Sequence, residues 1–361
     1  MNLNELGWSE HFAAAQAAVA APNLVPARVA RQDYGCYLVF AEKGELVADV
    51  RGRLRHEAQG PADLPAVGDW VAVQPWPGEA KATICAVLPR RSCISRKTAG
   101  ARTDEQVLAA NVDTLFLMVG LDRDFNPRRV ERYLTFAWES GASPVILLNK
   151  ADLCKDVEDR VLAIETIACG VPVHALSALA GDNVEAIRGY FVEGRTAAFL
   201  GSSGVGKSTL INALIGEERQ EVGAVRESDG RGRHTTTRRE LVFVPAGGMI
   251  VDTPGMRELQ LWADEDAAGR TFGDIETLAR RCRFRDCTHR TEPGCAVQAA
   301  LDDGELDAGR LESYRKQQRE LAYLARRQNE SARRIEQAKW KSIHKQIKEL
   351  DKTDKRQFGM Q

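Results

Sequence analysis

Two short segments of the chain combine residue types that bind nucleotides. Residues 201–208 read GSSGVGKS and fit the pattern G-x-x-x-x-G-K-[ST], and residues 149–152 read NKAD. In the first segment, glycines let main-chain N–H groups approach phosphate oxygens, and a lysine can reach the terminal phosphates. In the second segment, a carboxylate can recognise a base. Together they predict one nucleotide pocket, although the base loop precedes the phosphate loop in the chain.

The phosphate loop lies between an apolar run, TAAFL, and a helical pattern, STLINALIG. This strand-to-helix context makes the glycine pattern specific. Lys207 is predicted to contact the β and γ phosphates, and Ser208 to bind Mg²⁺. The predicted phosphate-binding residues are Gly201, Ser202, Ser203, Gly204, Val205, Gly206, Lys207, Ser208 and Thr209.

A third segment, DTPG at residues 252–255, follows the apolar run GMIV. Asp252 is predicted at the end of a strand, where a carboxylate supports Mg²⁺, and the N–H of Gly255 is predicted to contact the γ-phosphate. The triplet TTT at 235–237 lies between the two loops. Thr236 is predicted to complete the coordination of Mg²⁺, although a solvated polar loop fits the same triplet.

The NKAD segment predicts which base is bound. The carboxylate of Asp152 can accept hydrogen bonds from the N1–H and the amino group of guanine, and adenine offers no such pair. The difference is on the order of 2 to 4 kcal/mol, which favours GTP. Asn149 and Lys150 are expected to brace the loop and cover the ring. A main-chain N–H near Ser177 and Ala178, in the segment SAL, is expected to reach the guanine oxygen.

The unusual order of these segments is compatible with a working pocket. In an open parallel sheet, every such loop lies at the carboxyl end of a strand, so spatial adjacency and not chain order defines the pocket. The order does change where the chain leaves the domain. DTPG, the segment expected to sense the γ-phosphate, runs directly into the C-terminal region.

Four metal-binding side chains are crowded into the C-terminal region. Cys282, Cys287, His289 and Cys295 give the spacing C-x4-C-x-H-x5-C within 14 residues. Three thiolates and one imidazole predict a closed, tetrahedral, structural Zn²⁺ site. Reduced core cysteines fit poorly with such polar neighbours. Five arginines, the arginine cluster, surround the ligands and suit a phosphate backbone; they are Arg280, Arg281, Arg283, Arg285 and Arg290.

The pattern of apolar and polar residues changes twice along the chain. Residues 27–95 show short β-branched runs separated by turn signals, which predicts a five-stranded OB-type barrel. An RNA-binding barrel and a purely structural barrel fit this pattern equally well. From residue 112, apolar runs alternate with helical patterns, as in a parallel α/β domain. Beyond residue 262 the pattern is helical. The expected domains are a leader (1–24), the barrel (25–104), the α/β domain (105–265) and a metal-binding helical domain (266–361).

Composition limits the class of protein and its partners. The 361 residues contain no run of about 20 apolar residues that could span a membrane, so a cytoplasmic protein is expected. Residues 310–361 carry 15 Lys and Arg against 7 Asp and Glu, a net charge of +8 in a chain whose total is −1. This segment is predicted to face a polyanion.

Five scattered cysteines are expected in cores and not in disulfides: Cys36, Cys85, Cys93, Cys154 and Cys169.

Taken together, the motifs resemble the bacterial small-ribosomal-subunit biogenesis GTPases, a family of circularly permuted GTPases. The resemblance covers about residues 25–300 and rests on PRRSCISRK, NKAD, GSSGVGKSTLIN, GRHTTT, DTPGMRE and the cysteine cluster. It implies a circularly permuted α/β P-loop GTPase domain with an N-terminal OB-type barrel and a C-terminal zinc-binding, mostly helical domain. It also implies binding of the small ribosomal subunit and its 16S rRNA. The motifs themselves predict GTP or GDP with Mg²⁺ as ligands, and a monomer is expected.

The sequence leaves the hydrolytic step open. Many GTPases place a glutamine directly after D-x-x-G to orient water, and this chain has Met256 there. His234 in GRHTTT is the nearest candidate, although a histidine facing solvent or RNA fits equally well. Two functions remain possible: a GTP hydrolase that acts as a switch on a ribosomal particle, and an RNA-binding module that uses guanine nucleotide as a structural or sensory ligand.

Overall fold

The computed structural model describes most of the chain. The described ranges are residues 1–19, 23–33, 35–97, 105–168, 170–216, 239–252 and 270–322. They contain a short N-terminal helix, a barrel, an α/β sheet and a C-terminal group of helices.

The N-terminal residues pack against the rest of the molecule. Helix α1 (Glu10–Ala18) buries Phe12, and Leu6 before it is fully buried. The ring of Trp8 meets the ring of Trp70 edge-on, with centroids 4.7 Å apart. Aromatic pairs of this geometry add to the free energy gained by burying their area. The segment predicted as a leader is therefore part of a hydrophobic core.

Five strands form the predicted OB-type barrel, which is confirmed. They are β1 (Val25–Gln32), β2 (Tyr37–Ala41), β3 (Gly44–Val50), β4 (Trp70–Pro75) and β5 (Lys81–Val87), with helix α2 (Gly52–Glu57) after β3. Pairing runs β1-β2-β3-β5-β4 and closes through β1–β4. Alternating residues of β1 face two cores: Ala27 and Val29 lie inside the barrel, and Ala30 faces the α/β sheet.

A second sheet and a buried cation connect the barrel to the α/β sheet. Strands β6 (Cys93–Lys97) and β7 (Glu105–Ala110) pair as a two-stranded antiparallel sheet. The guanidinium of Arg28 is fully buried and donates to the carbonyl oxygens of Leu6, Gly68 and Asn111. These three acceptors lie in the N-terminal segment, the barrel and the residue after β7, so Arg28 holds the three together.

The α/β sheet contains six strands. They are β8 (Thr114–Gly120), β9 (Ser143–Asn149), β10 (Val173–Ala175), β11 (Thr196–Gly201), β12 (Glu240–Phe243) and β13 (Met249–Asp252), in the order β10-β9-β8-β11-β13-β12. Both faces are covered. Helices α3 (Pro127–Ser140) and α4 (Val157–Ala168) pack on one face, and α5 (Val184–Arg188) and α6 (Lys207–Ile215) on the other.

Strand β12 departs from the parallel arrangement expected for its apolar run. It pairs antiparallel with β13, whereas β8, β9, β10, β11 and β13 are parallel to one another. The prediction of a parallel strand was wrong here because residues 244–248 are too few for a crossover connection, which needs a dozen or more residues. This short, glycine-containing link could have been recognised as a hairpin.

The barrel and the α/β sheet share one continuous set of strands. Arg31 of β1 pairs with Glu240 of β12, beyond an irregularity in the β1–β2 register between Val29 and Arg31. Such a bulge bends a strand, so the second half of β1 can leave the barrel and reach β12. The rings of Phe40 and Phe243 stack across the junction at 5.6 Å.

Residues 270–322 contain helices and no strand, as predicted. Helices α7 (Gly273–Ala279) and α8 (Ala296–Asp302) are followed by α9, residues 308–322. Their core includes Phe272, Ile275 and Leu311. None of the helices in the described ranges is long and apolar enough to cross a bilayer.

The scattered cysteines are less buried than expected. Cys36, Cys85, Cys93 and Cys154 are free thiols of intermediate exposure. Cys154 packs against the main hydrophobic core, and the prediction of core positions was wrong in that none of the four is fully buried. Each lies near an end or a partly exposed face of its element. Cys169 lies outside the described residues.

Candidate nucleotide site and metal centre

The phosphate loop has the predicted strand-to-helix geometry. Strand β11 is buried along its whole length and ends at Gly201, and α6 begins at Lys207. The ammonium of Lys207 donates to the carbonyl oxygens of Gly201 and Ser202, each at 2.7 Å. Ser203 carries a buried hydroxyl with no protein partner within the described ranges. The loop therefore presents a lysine, a hydroxyl and a helix N-terminus, which suits phosphate.

Asn149 joins three of the predicted segments. Its side chain donates from Nδ2 to the carbonyl oxygen of Val205 at 2.7 Å and accepts at Oδ1 from the N–H of Ala178 at 2.9 Å. Asn149 is only 2% exposed. The base loop, the phosphate loop and the SAL segment therefore meet in one place despite their order in the chain.

Gly206 is required by this contact. Its φ is 101°, in the left-handed region, and a Cβ there would lie 2.2 Å from Nδ2 of Asn149. A side chain would be strained by the backbone and would displace Asn149. The glycine of the phosphate motif thus serves the base loop as well.

Lys150 is fixed by an aspartate that the sequence motifs did not predict. The ammonium of Lys150 lies 2.7 Å from Oδ2 of Asp122, which follows β8. Partial burial disfavours the ionised carboxyl, but hydrogen bonds from Lys150 and from the N–H of Asp124 outweigh it, so the pKa of Asp122 lies below its ordinary value. A carboxylate directly after a strand of the same sheet was the signal available in the sequence.

The remaining base-loop residues lie at the same end of the sheet. Asp152 is exposed, on a short turn at Ala151–Leu153. Ser177 is fully buried, and its hydroxyl accepts a hydrogen bond from the N–H of Ala180 at 3.1 Å. Because the N–H of Ala178 already donates to Asn149, a guanine oxygen would share or replace that acceptor.

The predicted Mg²⁺ residues lie partly outside the described ranges. Ser208 and Thr209 occupy the first turn of α6, and Asp252 ends β13, the strand that pairs with β11. Two strands that lead into loops at one end of the sheet thus deliver these groups. Thr236, Gly255 and His234 lie outside the described residues.

Helix α3 supplies two contacts to the phosphate loop that the motifs did not predict. Nη1 of Arg129 donates to the hydroxyl of Ser202 at 2.7 Å, and Tyr133, one turn later, shares a hydrogen bond with the same hydroxyl. Arg129 is also paired with Asp124 at 2.6 Å. The spacing of four residues places both on one helix face, but only the fold shows that this face meets the loop.

The four predicted metal ligands converge. One ligand atom from each of Cys282, Cys287, His289 and Cys295 lies within 4.8 Å of the others. Nδ1 of His289 lies 3.5 Å from the sulfurs of both Cys282 and Cys295. The cluster could hold a metal ion.

Neighbouring residues orient these ligands. The N–H of Gln298 donates to the sulfur of Cys295 at 3.4 Å. The carbonyl oxygen of His289 accepts from the side chains of Gln298 and Arg315. His289 has φ 58°, a left-handed conformation that turns the chain between the ligands. All members of the arginine cluster are exposed.

The fold and the pocket define a circularly permuted P-loop GTPase. The strand carrying NKAD precedes the strand carrying the phosphate loop, yet both deliver their loops to one site. The family described as RsgA GTPase matches residues 87–262, which include all three nucleotide motifs. A second description, ABC transporter, matches residues 184–358, which contain the phosphate loop and DTPG but not the NKAD segment.

Relatives along nearly the whole chain identify the family. The small ribosomal subunit biogenesis GTPase RsgA of Opitutus terrae is 50% identical over 354 residues, covering 95% of this chain and 96% of that protein. RsgA 1 of Oceanobacillus iheyensis is 48% identical, covering 89% and 92%. The solved structure of YjeQ from Thermotoga maritima matches with a TM-score of 0.63 at 27% identity, covering 83% of this chain and 99% of that one.

A structure of YloQ, described as a circularly permuted GTPase, matches with a TM-score of 0.60 at 25% identity, covering 84% of this chain and 97% of that one. The chain belongs to the RsgA family of GTPases.

Proposed function

We propose that the protein is a GTP-hydrolysing switch in the maturation of the small ribosomal subunit, and that the pocket around Asn149 binds GTP. The observation that carries the proposal is the pair of hydrogen bonds that the Asn149 side chain makes, one donated to the carbonyl oxygen of Val205 and one accepted from the N–H of Ala178. These bonds fix the base loop against the phosphate loop, so a nucleotide can contact both. The relatives named above supply the small subunit as the partner.

Each predicted residue has a role in this pocket. Asp152 selects guanine, Lys150 covers the ring, and the loop from Gly201 to Lys207 binds the phosphates. Ser208 and Thr236 would hold Mg²⁺, with Asp252 in support and the N–H of Gly255 on the γ-phosphate. Mg²⁺ would supply charge neutralisation between the β and γ phosphates.

The metal cluster is assigned to zinc on the chemistry of its donors. Three thiolates and an imidazole suit Zn²⁺ better than the oxygen-preferring cations, and four protein ligands leave no position for a reacting water. The ion would therefore organise the fold of residues 282–295 and not take part in hydrolysis. The exposed arginine cluster and the OB-type barrel are the proposed contacts with 16S rRNA. This partner implies a cytoplasmic protein, and we propose that it acts as a monomer.

The test is GTP hydrolysis by the full chain with and without purified small ribosomal subunits. We expect slow turnover alone, because Met256 stands where many GTPases have a water-orienting glutamine, and turnover faster by orders of magnitude with subunits. Subunit binding should be tighter with a non-hydrolysable GTP analogue than with GDP. Equal binding with both nucleotides, together with unchanged turnover, would contradict the switch and favour an RNA-binding protein that uses the nucleotide as a ligand.

A further inference from the structure

Helix α3 presents three different faces to three different parts of the molecule. At 3.6 residues per turn, Arg129 and Tyr133 share one face, and Glu131 and Thr135 lie nearly opposite. Between them, a third face buries Val130, Leu134 and Ala137 against the sheet. The apolar face fixes the helix, and the two polar faces are free to contact different structures.

The first polar face determines where the phosphate-loop lysine lies. Arg129 and Tyr133 hold the hydroxyl of Ser202, and the carbonyl oxygen of the same residue accepts from Lys207 at 2.7 Å. A displacement of α3 therefore moves Ser202 and changes the position of the ammonium that contacts the terminal phosphates. Charge at that position acts on the transition state for phosphoryl transfer.

The second polar face is bonded to the C-terminal helices through a buried arginine. Nη1 of Arg310 donates to Oε1 of Glu131 at 2.9 Å, and its Nε and Nη2 donate to both oxygens of Asp274 at 2.7 and 2.8 Å. The Glu131 side chain is 0% exposed and that of Arg310 is 6% exposed. A charge pair so shielded from water is screened by salt much less than a surface pair, so the contact between Arg310 and Glu131 should persist at physiological salt. Arg310 was counted in the polyanion-facing segment, and the structure instead assigns it to this contact.

One turn along α3, a hydroxyl adds a second buried connection. Oγ1 of Thr135 lies 2.8 Å from Oε1 of Gln317 and 3.0 Å from Oγ1 of Thr271. All three residues are at most 2% exposed. Glu131 and Thr135 thus connect α3 to α9, to Thr271 just before α7 and, through Arg310, to α7. Helices α7 and α9 also pack around the metal cluster.

We propose that α3 couples the C-terminal helices to the phosphate loop, with Arg129, Glu131 and Thr135 as positioning residues for the hydrolysis that the subunit stimulates. RNA bound at the arginine cluster shifts the C-terminal helices, α3 follows through Arg310 and Gln317, and Ser202 carries the shift to Lys207. Because the same contacts also position the loop that binds the phosphates, linkage between the two binding equilibria predicts that the nucleotide in turn affects the C-terminal helices. The effect of bound RNA on the phosphate loop rests on the proposed function, whereas the effect of the nucleotide on the C-terminal helices can be measured on the protein alone.

The first experiment uses the isolated full chain and amide hydrogen exchange. With a non-hydrolysable GTP analogue in place of GDP, we expect the exchange rate in α7 and in residues 308–322 to change by about fivefold or more, within the usual range of coupling factors. The Arg129→Gln variant at saturating nucleotide should lose this change. An exchange rate in these helices that is the same with both nucleotides in the wild type would overturn the coupling.

The second experiment measures hydrolysis with subunits for Arg129→Gln, Thr135→Val and the double variant. Thr135→Val keeps the shape of the side chain and removes its hydroxyl, so we expect basal turnover and GTP affinity to be retained while stimulated kcat falls about tenfold. Because both residues act in series, the double variant should fall little further than Arg129→Gln alone. Independent, additive losses would overturn the coupling. Thr135→Ser, which restores the hydroxyl, should recover most of the stimulation.

Ser140→Ala is the matched control. Ser140 is a buried residue of the same helix, and its hydroxyl bonds within the helix and its C-terminal turn, to Ala137 and Ala142. It should alter stability without altering stimulation. If subunits fail to stimulate the wild type, the proposed function fails and the exchange experiment still decides the coupling. If subunits stimulate the wild type and Thr135→Val equally, the coupling fails and the proposed function stands.

Discussion

The nucleotide pocket and the metal cluster are built in opposite ways. The pocket collects groups from Asn149 to Asp252, more than a hundred residues apart in the chain, and the sheet brings them together. The cluster takes its four ligands from 14 consecutive residues between α7 and α8. The pocket therefore depends on a large hydrophobic core and tolerates a change in chain order, whereas the cluster packs against a much smaller core around Phe272, and we expect an ion to hold its thiolates together. Variants that affect one site and spare the other test this difference.

Loss of one thiolate should have the largest effect. Cys287→Ala is expected to abolish stoichiometric zinc binding and to unfold residues 282–295, because structural zinc contributes about 10 kcal/mol or more to the fold of such segments. Elemental analysis measures the metal, and hydrogen exchange in α7 and α8 measures the fold. GTP binding should persist, since the pocket has its own core.

The control for this variant is Cys85→Ala in the barrel, which should keep the metal. A metal-free wild-type protein with protected amides throughout α7 and α8 would show that the two sites do not differ in this way.

His234→Ala should affect chemistry within the pocket and leave binding intact. A group that orients water acts on the transition state, so subunit-stimulated kcat should fall about 100-fold with the GTP Kd unchanged. Single-turnover hydrolysis and equilibrium binding measure the two quantities. His56→Ala in α2 is the control. Unaltered turnover would remove His234 from the mechanism.

Asp152→Asn should change which base the pocket accepts. Replacing the carboxylate by an amide removes a double acceptor for guanine and adds a donor suited to xanthine, a change of about 2 kcal/mol or roughly 30-fold in relative affinity. Competition between GTP and XTP measures it, and zinc content should be unchanged. Undiminished preference for GTP would contradict the role of the base loop.

Gly206→Ala should have the smallest effect on the pocket. The added Cβ displaces Asn149, which separates the base and phosphate loops and should weaken GTP binding about tenfold. Gly216→Ala is a close control, because Gly216 has a similar left-handed φ of 78° and no atom within 4 Å of an added Cβ. Calorimetric titration should find GTP affinity reduced only in the first variant, and equal losses would show that backbone strain alone is responsible.

The two sites also differ in how far the sequence predicted them. All four residues of the cluster were predicted from their spacing, because they lie within 14 residues of the chain. The barrel and most strands were predicted from turn signals and apolar runs. The contacts of Arg129 and Glu131 could not be predicted, since they depend on which loop or helix lies beside which, whereas the position of Asp122 after a strand was a signal that the motifs did not use. Arg310 shows the converse error: composition placed it in a basic segment, and packing against Glu131 and Asp274 buries it.

The pairing of β1 with β12 also protects the molecule from association with itself. Without this pairing, β12 would be an exposed edge strand of the α/β sheet, and its unpaired main-chain groups could pair with another chain. The barrel covers that edge through the pairing of Arg31 with Glu240, and the strand at the opposite edge, β10, is only three residues long. Removing the barrel should therefore expose the edge of β12 and give the truncated sheet a tendency to aggregate.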